Sequence, residues 1–279
     1  MSTIDKAFVK KSFNRHARTY DQNARLQGAL GNTLLQLLNG SVCAAARILD
    51  IGMGTGIMTT RLAEKYPAAQ IHGCDIATNM LAHARRKNSL CLRRDLFIAA
   101  DTEFLPYRDN RFDLALSGCT FQWLDDEERA FHEVFRVLKP GGMFLCSLFG
   151  EKTFEELKCS YDKAIRETGY NKGEALYLNW SEHSVTKLLE SAGFRECFAQ
   201  VNLITERYGS VEELMRSIKS MGAQNASVRR NKGLGMRAVW DKMITIYERE
   251  FRLPDGGIPA TYQVIMAGGQ KPQAIYSDI

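Results

Sequence analysis

The sequence predicts an α/β fold in which a mostly parallel sheet is covered by helices on both faces. Two observations carry that expectation. From residue 47 onward, short apolar runs alternate with stretches of helical periodicity, the pattern of strand–helix–strand crossovers. Glycines and aspartates collect where these runs end, which is where open parallel sheets bind their ligands. With 279 residues, 45% hydrophobic and 25% charged, the chain suits one or two domains and is unlike a disordered or collagen-like sequence.

Arg47 to Ile51 is the first strand, followed by a glycine-rich turn and a helix reaching about Lys65. Gln70 to Asp75 is the second strand, and a helix begins at Met80. Leu96 to Ala100 and Phe112 to Ser117 are the third and fourth strands. Asp125 to Leu138 reads as an amphipathic helix, with Phe131, Val134, Phe135 and Leu138 on one face. Lys139-Pro140-Gly141-Gly142 ends it, and Met143 to Leu148 is the fifth strand. Phe154 to Glu167 is helical, Gly169 to Trp180 a loop, and Val185 to Ala192 a helix with Gly193 just past its end. Cys197 to Thr205 is the sixth strand. Ser210-x-x-Glu213 is a capping box that opens a helix carrying Leu214, Ile218 and Met221 on one side. A further helix covers Met236 to Tyr247. Thr261 to Ala267 is the last strand, with a frayed tail expected after Gly269.

Composition excludes several classes. Thirty-seven Lys and Arg against 32 Asp and Glu give +5, too small a surplus to mark a nucleic-acid binder, though it suits an acidic partner or anionic substrate. The seven cysteines, Cys43, Cys74, Cys91, Cys119, Cys146, Cys159 and Cys197, are scattered without paired or metal-ligand spacing, which reads as reduced thiols in a cytoplasmic protein. The five histidines are also dispersed, so no metal is expected. The N-terminus lacks the apolar core of a signal peptide, and no stretch approaches a membrane span.

The strongest chemical signal is Asp50-Ile51-Gly52-Met53-Gly54-Thr55-Gly56, placed where a strand gives way to a helix. Gly52, Gly54 and Gly56 let the backbone approach a ligand without an intervening Cβ. A dinucleotide fingerprint would need its third glycine at position 57, which is Ile57, and Asp50 would repel a pyrophosphate; both favour a ligand presenting an ammonium group. Asp75, ending the second strand, is placed to accept hydrogen bonds from vicinal ribose hydroxyls or to cap the next helix. Asp101 and Thr102 follow the third strand as an acceptor and a small polar group for an adenine edge. Ser117 ends the fourth strand at the same crevice.

Asp50 to Gly56, strand-end Asp75, Ala100-Asp101 to Leu105-Pro106, Phe112-Asp113-Leu114 and Arg136 to Gly142 together resemble the class I S-adenosylmethionine-dependent methyltransferases over residues 45 to 150. The resemblance implies a Rossmann-like, seven-stranded sheet with the last strand antiparallel, and S-adenosylmethionine as methyl donor. Ser117-Gly118-Cys119-Thr120-Phe121-Gln122-Trp123 lacks the proline pair of nucleic-acid amino methyltransferases, which disfavours that substrate class.

A second likeness runs nearly end to end. Lys10 to Asp21 with Leu26-Gln27, Phe121-Gln122-Trp123, Ser147 to Gly150 with Phe154 and Leu157, Arg216 to Lys219 with Gly222-Ala223, and Ala260-Thr261-Tyr262 resemble the malonyl-acyl-carrier-protein O-methyltransferases of biotin synthesis. Met53 departs from that pattern, standing where many members carry Cys. The resemblance implies esterification of the free malonyl carboxylate on an acyl carrier protein, or on coenzyme A. A malonyl carboxylate is ionised near neutrality and attacks without a general base.

Arg216 and Lys219, three apart on one helix, are the candidates for holding that carboxylate, with Arg136 as an alternative. Tyr20 and Trp123 are candidates for walling the transfer site. Lys6, Lys10, Lys11 and Arg15, at near-helical spacing, and Arg229, Arg230 and Lys232 are candidate docking groups for an acidic carrier. Arg85-Arg86-Lys87 and Arg93-Arg94 form further basic clusters. The expected organisation is an N-terminal helical arm (1–40), a core (41–150), a core continuation (151–206) whose first part (151–180) is a cap insertion, a second cap insertion (207–258), and a closing strand with its tail (259–279). Two other readings stay open: methylation of another small-molecule carboxylate or carbon acid, and a non-catalytic methyltransferase-like binding module.

Overall fold

A computed structural model describes residues 4–38, 46–87, 96–170, 178–220 and 236–273. Three helices lead the chain: α1 (Lys6–His16), α2 (Tyr20–Asn23) and α3 (Arg25–Leu37). Then follow β1 (Arg47–Ile51), α4 (Ile57–Lys65), β2 (Gln70–Asp75), α5 (Thr78–Lys87), β3 (Phe97–Ala99), β4 (Phe112–Gly118), α6 (Glu127–Val137) and β5 (Leu138–Phe149). The remainder is α7 (Glu155–Thr168), α8 (Glu182–Ser191), β6 (Arg195–Tyr208), α9 (Val211–Ser220), α10 (Met236–Phe251) and β7 (Ile258–Gln270).

The seven strands form one sheet in the order β3-β2-β1-β4-β5-β7-β6. The first five run parallel, and β7 is antiparallel to both β5 and β6. This is the mostly parallel, seven-stranded arrangement with an antiparallel last strand that the sequence implied. Ile48, Leu49 and Ile51 of β1 are fully buried because helices cover both faces of the sheet. On one face Leu30 and Leu34 of α3, Leu62 of α4, Ala164 of α7, Leu214 of α9 and Met243 of α10 share a core with β1, β4 and β7. On the other, Phe131 and Val134 of α6 and Val185 and Leu189 of α8 pack over β4 and β5. Each fully buried Leu or Phe contributes roughly 1.5–3 kcal/mol. Helices α7, α9 and α10 therefore belong to the layer that covers one face of the sheet.

Local signals explain several element ends. Asp126 caps α6 by accepting from Arg129 N at 3.0 Å. Ser210 Oγ accepts from Glu213 N at 3.2 Å, while the Glu213 carboxylate reaches back to Gly209 N at 2.7 Å, one residue beyond the expected box. Three expectations need correction. Lys139 to Gly142 do not separate helix from strand: β5 starts at Leu138, and these residues form a bulge against β4 with Gly141 at φ +78°. The antiparallel β6–β7 pair is longer than the apolar runs suggested, running from Arg195↔Gln270 to Tyr208↔Ile258. The chain just after Gly269 is held rather than frayed, since Lys271 Nζ donates to Phe135 O, Leu138 O and Asn110 Oδ1 at 2.8–2.9 Å. Cys43, Cys91, Arg93, Arg94, Met221, Gly222, Ala223, Arg229, Arg230 and Lys232 lie outside the described residues, as do 171–177 of the expected loop and 274–279 of the tail. Among the described residues no helix is long and apolar enough to cross a membrane.

Candidate functional site

The carboxyl ends of β1 to β4 open into one cleft, and the glycine turn forms its floor. Gly52, Gly54 and Gly56 all have positive φ, at +66°, +55° and +80°, a backbone that side chains rarely adopt. Space reinforces the requirement at Gly52, where a Cβ would lie 2.0 Å from Thr120 Oγ1. At Gly54 a Cβ would meet nothing within 4 Å and would project into open space. Asp75, at the end of β2, braces the turn: one carboxylate oxygen accepts from Gly54 N at 2.9 Å and the other from Ala77 N at 2.7 Å. It therefore caps the following chain and also faces the cleft, with lone pairs left for a ligand.

The cleft holds about 680 Å³ of empty space, its open mouth included. Of the residues expected to bind the cofactor, Gly52, Gly54, Asp75, Asp101 and Thr102 line it, together with Tyr20 and Trp123, expected at the transfer site. Phe13 stands between Tyr20 and Trp123 with edge-on contacts at 6.3 and 5.7 Å, so an aromatic wall closes one side. Val9, Met80, Cys119 and Thr120 also line the cleft.

Other candidates lie elsewhere. Asp50 is wholly buried beside the turn and accepts from the Thr59 hydroxyl at 2.5 Å, without lining the cleft. Gly56 serves as the left-handed entry to α4 rather than as wall. Ser117 donates to Ile51 O at 3.1 Å and ties β4 to β1 from inside the core. Arg216 and Lys219 are exposed and outside the cleft, because the inward face of α9 is taken by Val211 and Leu214. Arg136 is committed to Glu133, Asp109 and the carbonyls of Leu105 and Tyr107, clamping that loop to α6.

Lys6 is the clearest correction. It was expected on an outward docking face, yet it turns inward, lines the cleft, and bonds Asp101 Oδ2 at 2.7 Å and Glu103 Oε2 at 2.5 Å. Glu103 is itself buried and accepts from Asp125 N and Asp126 N. Lys6, Val9 and Phe13 share one helical face, a spacing that foretells an inward stripe but not the acidic pair it would meet. Lys10, Lys11 and Arg15 remain exposed on α1.

Burial sets the electrostatics. It pushes the Asp50 carboxyl up to about 7, with nearby Asp75 adding to the shift against the Thr59 hydrogen bond, and pushes Asp75 up to about 6. Burial also drives the Tyr20 hydroxyl far above its usual range and the Cys119 thiol up to about 12. A carboxyl raised in the folded state weakens folding as pH rises from the unfolded value near 4 towards the folded one. The stability of the ligand-free protein should therefore decline between about pH 4 and 7 and level off above. Urea unfolding across that range should show a shallower decline for Asp50→Asn. Identical slopes for variant and wild type would contradict the assignment.

The comparisons with known proteins agree with this geometry. Residues 49–146 match the family described as "Methyltransferase domain". A malonyl-[acyl-carrier protein] O-methyltransferase from Geobacter sulfurreducens is 39% identical, covering 96% of this chain and 100% of its own. One of the same name from Gallionella capsiferriformans is 34% identical, covering 96% of this chain and 92% of its own. Among solved structures, a putative methyltransferase from Bacillus halodurans aligns with TM-score 0.60 at 18% identity, covering 87% of this chain and 99% of its own. The Haemonchus contortus phosphoethanolamine N-methyltransferase 2 in complex with S-adenosyl-L-methionine aligns with TM-score 0.53 at 19% identity, covering 88% and 53%. These two likenesses speak for the fold.

Proposed function

Because this chain belongs to the malonyl-[acyl-carrier protein] O-methyltransferase family, we propose that it methylates the free carboxylate of a malonyl thioester carried by acyl carrier protein, as a step of biotin synthesis. S-adenosylmethionine supplies the reactive methyl on its sulfonium. The cleft suits that molecule: Gly54 leaves room for it, Asp75 offers acceptors for ribose hydroxyls, and Asp101 offers one for an adenine amino group.

One observation carries the choice of acceptor. The described residues lining the cleft include no histidine, and their tyrosine and cysteine are held protonated by burial. Asp75 is engaged by two backbone amides and, with the methyl donor bound, by its ribose hydroxyls, and Asp101 is paired with Lys6. Such a site lacks a free general base and favours an acceptor that arrives ionised, which a carboxylate does and a carbon acid does not. Its residues contribute position and exclusion of water, with Tyr20, Phe13 and Trp123 walling the acceptor against the donor. We assign residues 1–40, 151–180 and 207–258 to the cap around that acceptor.

Comparing malonyl carrier protein, malonyl-coenzyme A and free malonate as acceptors tests this reading. Ester formation fastest on the carrier is expected, and ester on none of the three would overturn it. The exposed basic side of α1 is the docking surface we assign to the acidic carrier. Replacing Lys10, Lys11 and Arg15 together with Glu should lower kcat/KM for the carrier about tenfold or more while leaving the coenzyme A thioester within about twofold. Equal loss on both substrates would contradict a docking role.

A further inference from the structure

Asp21 does not line the cleft, yet both of its carboxylate oxygens are used, one of them on the glycine turn. One accepts from the hydroxyl of Thr55, the residue between Gly54 and Gly56, which is 1% exposed. The other accepts from Lys87 Nζ, at the end of α5, at 2.7 Å. The glycine turn is thus gripped from two sides, by Asp75 of the sheet at Gly54 N and by Asp21 of the arm at Thr55 Oγ1. Tyr20, the neighbour of Asp21, lines the cleft with its ring against Phe13. The helix carrying both is only four residues long and has no side-chain bond at its N-cap, so its place depends on ties to other elements.

We propose that Asp21 is a positioning residue of the cofactor cleft, coupling the N-terminal arm to the glycine turn so that Tyr20 and Gly54 keep a fixed relation. The inference rests on S-adenosylmethionine as the bound molecule and is independent of the acceptor. The Thr55 bond carries most of the effect. The Lys87 pair is exposed at 41% on the lysine side and contributes little, as surface ion pairs do.

Calorimetric binding of S-adenosylhomocysteine to the full chain tests it without any acceptor. Asp21→Ala should weaken binding about 10- to 100-fold, the range expected when a charge-assisted hydrogen bond is lost. Thr55→Val, a near-isosteric change that keeps the arm's carboxylate, should weaken it comparably, and the double variant should be no worse than the stronger single one. Asp21→Asn, which retains an acceptor oxygen for Thr55, and Lys87→Met should stay within about threefold of wild type. If Asp21→Ala fails to fold, Thr55→Val and Asp21→Asn carry the same test. Binding by Asp21→Ala or Thr55→Val within about twofold of wild type would overturn the proposal, as would losses that simply add. Wild-type binding without any malonyl methylation would overturn the acceptor reading and leave this inference standing. No wild-type binding at all would overturn both.

Discussion

Asp75→Ala should weaken S-adenosylmethionine binding at least about 100-fold. The carboxylate is the acceptor for both Gly54 N and Ala77 N, and truncation strands two donors at the cleft floor. Each stranded donor costs roughly 1–3 kcal/mol, and any contact to the ligand is lost with them. Asp75→Asn should fall between, because its amide keeps a single acceptor oxygen for two donors. The stranded donors also destabilise the ligand-free fold, and burial, which already raises the carboxyl to about 6, offsets part of that cost. Calorimetry beside thermal unfolding separates the two effects. Affinity within about threefold of wild type would contradict the role given to Asp75.

Gly52→Ala and Gly54→Ala should fail in different ways. At Gly52 the new Cβ would meet Thr120 Oγ1 at 2.0 Å, on a backbone at φ +66°. The left-handed conformation alone costs about 1–2 kcal/mol in an L-residue, and the clash adds to it. Both stability and cofactor affinity should fall, and Thr120→Ala should restore only part of the loss, because it removes the Oγ1 and Cγ2 contacts at 2.0 and 2.5 Å but keeps its own Cβ 2.7 Å from the new one and leaves the backbone strain. At Gly54 the backbone is also left-handed, at φ +55°, but no protein atom opposes the Cβ. Its stability loss should therefore be smaller, with the larger effect on affinity, because the methyl group projects into the cleft. Equal stability losses in the two variants, or no relief from Thr120→Ala, would contradict this account of the turn.

The sheet was legible because its signals are local. Apolar runs of strand length, glycines at a strand-to-helix turn and aspartates at strand ends each state their role within a few residues, and the observed strand order joins those ends in one place. What the sequence concealed is partnership. Helical spacing put Lys6 on a face of α1, but whether that face meets solvent or acid depends on Asp101 and Glu103, far along the chain. Arg216 and Lys219 sit three apart on one helix as expected, yet the burial of Val211 and Leu214 turns them away from the cleft. Ser117 ends its strand as expected and spends its hydroxyl inside the core on Ile51 O. Asp21 gave no signal of its own, since its partners Thr55 and Lys87 meet it only through the fold. Residue type and periodicity fix what a side chain offers; the fold decides which group receives it.

The methyl group is expected on an acceptor that arrives ionised, because the described residues lining the cleft offer no free general base. The most direct test is the position of the methyl after reaction of malonyl carrier protein with methyl-labelled S-adenosylmethionine. Label is expected on the terminal carboxylate, released as methanol by mild alkaline hydrolysis. Label retained on the malonyl carbon after hydrolysis would mean that the cleft deprotonates a carbon acid, and would contradict that expectation.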